Sequence, residues 1–214
     1  MKIIIAGLLS ACSACAAGSP TLVFTKSFPG STPAYEFVSV DRTGALLYKE
    51  SPTDDQPVAT HLAAADVAVL FDEAQKLGYF KSPLESGLKV ANTGKKTFRY
   101  LDENGAATET TFNYSTDPTA RLLLDKFEQI AASERAYLDL DRTIHFDKLG
   151  VNDALAQIEA LWLQHTLAAP QQFIPFFNRI IGHESFMHLV RDRAARLKSE
   201  FEASPGMAST TGTR

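Results

Sequence analysis

Cysteine is nearly absent: the 214-residue chain has two, Cys12 and Cys15, and both stand within its first fifteen residues. Beyond them there can be no disulfide, no thiol nucleophile and no cysteine-ligated zinc. Small exported domains often rely on disulfides, but a body approaching about 200 residues can bury enough apolar surface to fold without them. Long apolar runs are missing too. A transmembrane helix needs about 20 consecutive apolar residues, and after the first few residues no stretch approaches that without charges. Charge of one sign is also lacking. The 21 basic residues stand against 25 acidic ones, a formal net charge of -4, which leaves no footprint for nucleic acid. There is no G-x-S-x-G nucleophile elbow, Ser86 in Glu85-Ser86-Gly87 has no context for a triad, and Asp54-Asp55 lacks the D-x-D-x-D-G spacing of a calcium loop.

What is present begins with a leader. Lys2 supplies one positive charge, Ile3 to Leu9 form a short apolar stretch, and small residues follow. Leu9-Ser10-Ala11-Cys12 resembles the lipobox of bacterial lipoproteins, an aliphatic residue and two small ones before a cysteine. The resemblance implies cleavage before Cys12 and acylation of that cysteine, hence a chain held by lipid at a bacterial membrane, on the periplasmic side of the cell envelope. A second cut is possible at Ala14-Cys15-Ala16, a small-x-small site that would release a soluble secreted or periplasmic protein. The apolar core of about seven residues, short for a plain secretory signal, favours the lipobox.

The expected organisation is a signal peptide over 1–11, a tether over 12–21, an α+β domain over 22–145, a helical region over 146–203 and a disordered tail over 204–214. Tyr35 to Val40 and Ala45 to Glu50 flank Asp41-Arg42-Thr43-Gly44 and read as a hairpin. Val67, Leu70, Phe71, Ala74 and Leu77 share one face of a helix that Gly78 closes. Thr97 to Leu101 and Ala107 to Tyr114 make a second hairpin around Asn104-Gly105. Asp117-Pro118 opens a second helix with Leu123, Phe127, Ile130 and Ala131 as its stripe. The fold class is therefore α+β, two β-hairpins alternating with two helices, followed by a helical C-terminal region. There, Asn152 or Asp153 caps a helix bearing Leu155, Ile158, Leu161, Trp162 and His165 on one side and ended by Pro170. A last helix is expected over about Glu184 to Glu202, with Phe186, Leu189, Val190, Leu197 and Phe201 inward.

Four constellations invite chemistry. His183-Glu184-Ser185-Phe186-Met187-His188 is one residue too long for the zinc-protease pattern, since a spacing of five turns the histidines about 140° apart on a helix. The plainer reading puts Glu184 in the first turn of the last helix. Thr93-Gly94-Lys95-Lys96-Thr97 echoes a phosphate-binding loop without its glycine spacing, and reads better as a polar turn entering a strand. Asp139, Asp141, His145 and Asp147 alternate with Leu138, Leu140, Ile144 and Phe146, which reads as an extended segment with one polar and one apolar face. Phe173-Ile174-Pro175-Phe176-Phe177 is too apolar for one short helix to bury in a single direction. Burial between two layers is the first explanation, and an interaction segment of Phe173, Ile174, Phe176 and Phe177 the second.

The expectation is a non-enzymatic, lipid-anchored envelope module that binds or scaffolds a protein, with the membrane and an unidentified envelope protein as partners and no metal or cofactor. The rival is a metal-dependent or acid/base hydrolase built on Asp139 to Asp147 and the histidines.

Overall fold

Residues 18–203 are described by the structure, a computed structural model; the leader, Cys12 and the tail expected from Ser204 lie outside them. Six strands come first in the chain apart from one intervening helix: β1 (Thr21–Ser27), β2 (Tyr35–Asp41), β3 (Ala45–Lys49), β4 (Val58–His61), α1 (Ala64–Lys76), β5 (Lys95–Leu101) and β6 (Ala107–Phe112). They form one antiparallel sheet in the order β4-β3-β2-β1-β5-β6. Four helices follow: α2 (Pro118–Phe146), α3 (Val151–Leu163), α4 (Ile174–Gly182) and α5 (His188–Glu202). The α+β class and both hairpins stand as the sequence implied. Two further strands, β1 and β4, complete the sheet, with β1 joining the hairpins by pairing to β2 on one side and β5 on the other.

The two hairpin turns share a build. Asp41 Oδ1 accepts hydrogen bonds from Thr43 N (2.8 Å) and Ala45 N (3.0 Å), and Asp102 Oδ1 accepts from Asn104 N (2.8 Å) and Ala106 N (2.9 Å). Gly44 and Gly105 close these turns with φ of +96° and +80°, a region in which a Cβ is strained.

Period-2 alternation turns one face of the sheet inward. Register aligns the inward side chains into rows: Leu46, Val40, Leu22 and Tyr100 in one, Tyr48, Val38, Phe24 and Phe98 in the next. Two helices cover this face. α1 contributes Val67, Leu70, Phe71 and Ala74; α2 contributes Leu123, Phe127, Ile130 and Ala131. Phe127 stacks on Phe24 with centroids 5.2 Å apart. The α2 start follows the expected cap, since Asp117 Oδ1 accepts from Thr119 N (2.7 Å) and Ala120 N (3.1 Å) ahead of Pro118.

α2 then runs on for 29 residues, about 43 Å at 1.5 Å per residue. Its second half leaves the sheet core and enters another, made of Ala136, Leu140 and Ile144 with Val151, Leu155 and Ile158 of α3, Phe173, Phe177 and Ile180, and Val190, Ala194, Leu197 and Phe201 of α5. Side-chain contacts fix the helix directions. Tyr137 meets Phe176 (4.9 Å) and His145 meets Arg179 (2.9 Å), so α4 runs parallel to α2. Arg193 bonds Asn152 (3.0 Å to its carbonyl oxygen) and Trp162 packs on Phe201 (4.7 Å), so α5 runs parallel to α3. The second half of α2 with α3, α4 and α5 is thus an up-down-up-down four-helix bundle.

Several boundaries differ from expectation. The segment read as extended, Asp139 to Phe146, is the last part of α2. Leu140 and Ile144 are four apart, a spacing that satisfies both a period of 2 and one turn of helix, and the helix wins by burying both with Ala136. α3 starts at Val151 behind Gly150, so Asn152 and Asp153 lie in its first turn and neither caps it. It ends at Leu163, well before Pro170: His165 takes φ of +56°, with His165 N bonded to Trp162 O and Thr166 N to Leu161 O, a Schellman ending with histidine in the place glycine usually holds. His165 is consequently exposed and off the helix. Pro175 stands at the start of α4, where a proline's fixed φ suits helix entry.

Candidate functional site

The inner face of the sheet does not stay apolar to its end. The third cross-strand row is Glu36, Lys26, Lys96 and Phe112, in register across β2, β1, β5 and β6. α2 answers it with charges of its own. Lys26 Nζ donates to Glu128 (2.8 Å), and Arg135 pairs with Glu36, which is buried. Burial pushes the Glu36 carboxyl above its ordinary range, and Arg135 and Lys26 only partly oppose it. A cleft of about 310 Å³ opens beside this row, lined by Lys26, Lys96, Asn113, Arg121, Asp125 and Glu128.

The buried lysine of this cleft is nonetheless committed to structure. Lys96 Nζ donates to Thr93 Oγ1 (2.8 Å), Asn113 O (2.9 Å), Gly94 O (3.2 Å) and Thr93 O (3.3 Å). Burial, with Lys26 nearby, pushes this amine below its ordinary range. Its four acceptors belong to the segment before β5 and to the end of β6, so Lys96 holds that segment down. Asn113 helps, accepting from Thr93 N (2.9 Å) and donating to Ala91 O (3.0 Å). The loop-like letters Thr93 to Thr97 are a turn entering a strand, as expected. Their second lysine binds backbone oxygens where a phosphate-binding loop would present it to ligand.

The Asp and His candidates fall along the second half of α2, not on one strand face. Arg142 donates to Asp139 (3.1 Å), and His145 meets Asp141 one turn away (3.2 Å to its carboxylate). Arg179 donates to His145 Nε2 at 2.9 Å, which leaves the ring proton on Nδ1, facing the Asp141 carbonyl at 2.8 Å. Both ring nitrogens are engaged on an exposed surface. His183 and His188 do not share a helix: His183 follows α4, His188 opens α5, and Glu184 lies in the turn between them, not in a first helical turn. His188 pairs with Asp192 (2.7 Å) at the surface. Among the described residues no group of three or more His, Cys, Asp or Glu side chains is placed to hold a metal ion.

Phe173 and Phe177 of the expected interaction segment are fully buried in the bundle core, where Phe177 packs on Phe201 (5.4 Å). Ile174 and Phe176 are half-buried, Phe176 against Tyr137. Burial thus accounts for Phe173 and Phe177, in one bundle core and not between two layers, while Pro175 is exposed. Two arginines of α5, Arg193 and Arg196, both pair with Glu159 of α3.

The apolar surface that does face water is at the far end of the bundle. Because α4 parallels α2 and α5 parallels α3, the α2–α3 turn and the α4–α5 turn meet there, and Lys148 Nζ lies 5.8 Å from the Phe186 ring centre. Four large side chains stand out on these turns or at the helix ends beside them: Phe146 at 87% exposure, Leu149 at 77%, Leu189 at 65% and Met187 at 52%. Lys148, Asp147 and Glu184 belong to the same two turns, and Arg179 to the last turn of α4. Sequence reading assigned Phe146 and Leu189 to the core. Leu189 and Val190 are adjacent, so one helix face could take only one of them, and it takes Val190. No family model matches the chain, and no curated protein matches it. No helix among the described residues is long and apolar enough to cross a membrane.

Proposed function

We propose that this chain is an exported envelope protein, held to a membrane through lipid on Cys12, that binds a protein partner with the distal end of its helical bundle. The observation carrying the partner site is the group Phe146, Leu149, Met187 and Leu189, large apolar side chains brought to one tip by two separate turns and left in water. Contiguous exposed apolar surface with a polar rim is the mark of an interaction site. The rim mixes Lys148 and Arg179 with Asp147 and Glu184. That balance suits a protein surface better than an anionic bilayer, which would select for cations alone. The outer face of the sheet is a weaker candidate, being dressed with the Thr97–Thr111 hydroxyl pair (2.9 Å) and the Arg99–Glu109 pair. The hydrolase reading has no observation in its favour, because the acidic and histidine side chains from Asp139 to His188 converge on no cleft.

Site-specific photocrosslinking in intact cells tests the partner site. A crosslinking residue at position 146 or 187 is expected to give one discrete protein adduct that the same residue at Lys95, exposed on the sheet, does not. Adducts of equal yield at all three positions, or none, would refute it. Mass spectrometry of the mature N-terminus tests the anchor separately: a diacylated Cys12 is expected, and an unacylated chain starting at Ala17 would remove the membrane from the proposal.

A further inference from the structure

Glu134 lies on α2 at the seam between the sheet core and the bundle core, and its side chain is fully buried. Its one hydrogen bond comes from Gln172, whose Nε2 donates to Glu134 Oε1 at 3.0 Å. The remaining oxygens of this pair, Glu134 Oε2 and Gln172 Oε1, are both buried and both without a partner. Two orphaned acceptors in one interior pair cost heavily if the glutamate is a carboxylate, since neither brings a hydrogen to the other. A carboxylic acid removes the difficulty. Its Oε2–H donates to Gln172 Oε1 while Gln172 Nε2 donates to Oε1, and an eight-membered acid–amide ring satisfies all four heavy atoms.

No charge competes with this arrangement. The titratable groups on the elements packed around it include six, Arg135, Tyr137 and Asp141 on α2, His165 on the α3–α4 connector, His61 at the end of β4 and Arg179 on α4. Lys198 and Glu202 of α5, which packs against the Gln172 turn, pair with each other. Arg135 is bound to Glu36, Arg179 to His145, and none of the six bonds Glu134. Burial pushes the Glu134 carboxyl up to about 7, against a smaller pull downward from Gln172.

The position of Gln172 gives the proton a structural consequence. The connector, residues 164–173, is fastened to α2 at adjacent points: Ala168 N donates to Ser133 Oγ (2.8 Å) and Gln172 to Glu134. It also reaches the sheet, where Gln171 Nε2 donates to the His61 carbonyl at 2.7 Å. Besides α2 itself, this connector is what ties the bundle to the sheet layer. We infer that Glu134 and Gln172 form a protonated latch, and that ionisation of Glu134 releases the connector from α2 and loosens the bundle from the sheet.

Hydrogen exchange of the full chain, corrected for the intrinsic effect of pH, reads the latch at Ala168 and Gln172. Protection there is expected to fall by more than about tenfold between pH 5.5 and 8.5 in the wild type, because the closed latch holds its proton at least about tenfold more tightly than the open one. In Glu134→Gln, a neutral side chain of the same shape, it should stay flat. An equal pH response in that variant, or none in the wild type, would overturn the latch. Carbon NMR of the Glu134 carboxyl in the wild type provides a check that needs no variant: titration near neutrality supports it, and a carboxylate already ionised at pH 5.5 sinks it.

Discussion

Gly44 and Gly105 occupy equivalent places in turns of the same build, yet their surroundings differ. A Cβ on Gly44 would stand 2.7 Å from Leu62 O, whereas one on Gly105 would meet nothing within 4 Å. Gly105→Ala should therefore cost about 1 kcal/mol, the penalty of left-handed backbone alone, and Gly44→Ala about twice that or more, because the β4–α1 junction must also move. Urea unfolding of the two variants checks the order. The pH dependence of stability also resides in single residues. Glu134 has a folded value raised to about 7 from an ordinary 4.5, so the folded state binds the proton more tightly than the unfolded chain does. Its contribution is complete below about 4.5 and is lost as pH rises to about 7, in all about 3 kcal/mol by linkage. Glu36 is shifted in the same direction. Stability that rises instead between pH 5 and 7, or is unchanged there in Glu134→Gln relative to wild type, would contradict this. Of these residues, the sequence announces the glycines through the aspartates before them. It conceals Glu134, which sits between Ser133 and Arg135 like any solvent-facing glutamate.

Elements are legible where one signal dominates. α1 and the start of α2 carry a clean 3.6-residue stripe and, for α2, an Asp-Pro entry; Asp117→Ala is expected to cost about 1 kcal/mol in thermal unfolding. β1 is not legible, although it is the strand on which the sheet is organised. Leu22 and Phe24 are its only large inward apolar residues, Lys26 ends the inward row, and Val23 and Thr25 between them give little contrast. β4 has four residues at the sheet's edge, too few for a period to show. The second half of α2 misleads for the opposite reason, an excess of pattern: Asp, Arg and His alternating with Leu and Ile imitate a strand. Among the candidate site residues, the turn at Thr93 to Thr97 and the burial of Phe173 and Phe177 could be anticipated, the latter because two aromatics four apart must face one way. Phe177→Ala should lower stability by about 3 to 5 kcal/mol, as expected of a buried aromatic.

At the scale of the whole molecule, two cores share one helix, and the distal tip lies on the core that the sheet does not touch. Phe146→Ser and Leu149→Ser, at side chains that are almost wholly in water, should shift stability by no more than about 0.5 kcal/mol while abolishing the partner adduct. A matching loss of melting temperature would mean that the tip is structural. The tip could not be read from sequence, since it is assembled from two turns about 40 residues apart that only the helix directions bring together. The sheet, at the other end, decides how such a molecule would carry load. β1 starts at Thr21, the first regular element after the N-terminal segment, and it is laddered on both sides, to β2 and to β5, over its full length. Tension drawn along the strand from its N-terminal side would act in shear on both ladders at once. The bonds would have to rupture together and could not peel one by one. Under such tension the strand least visible in the sequence, at the edge of the expected tether, would be the part of the sheet that resists.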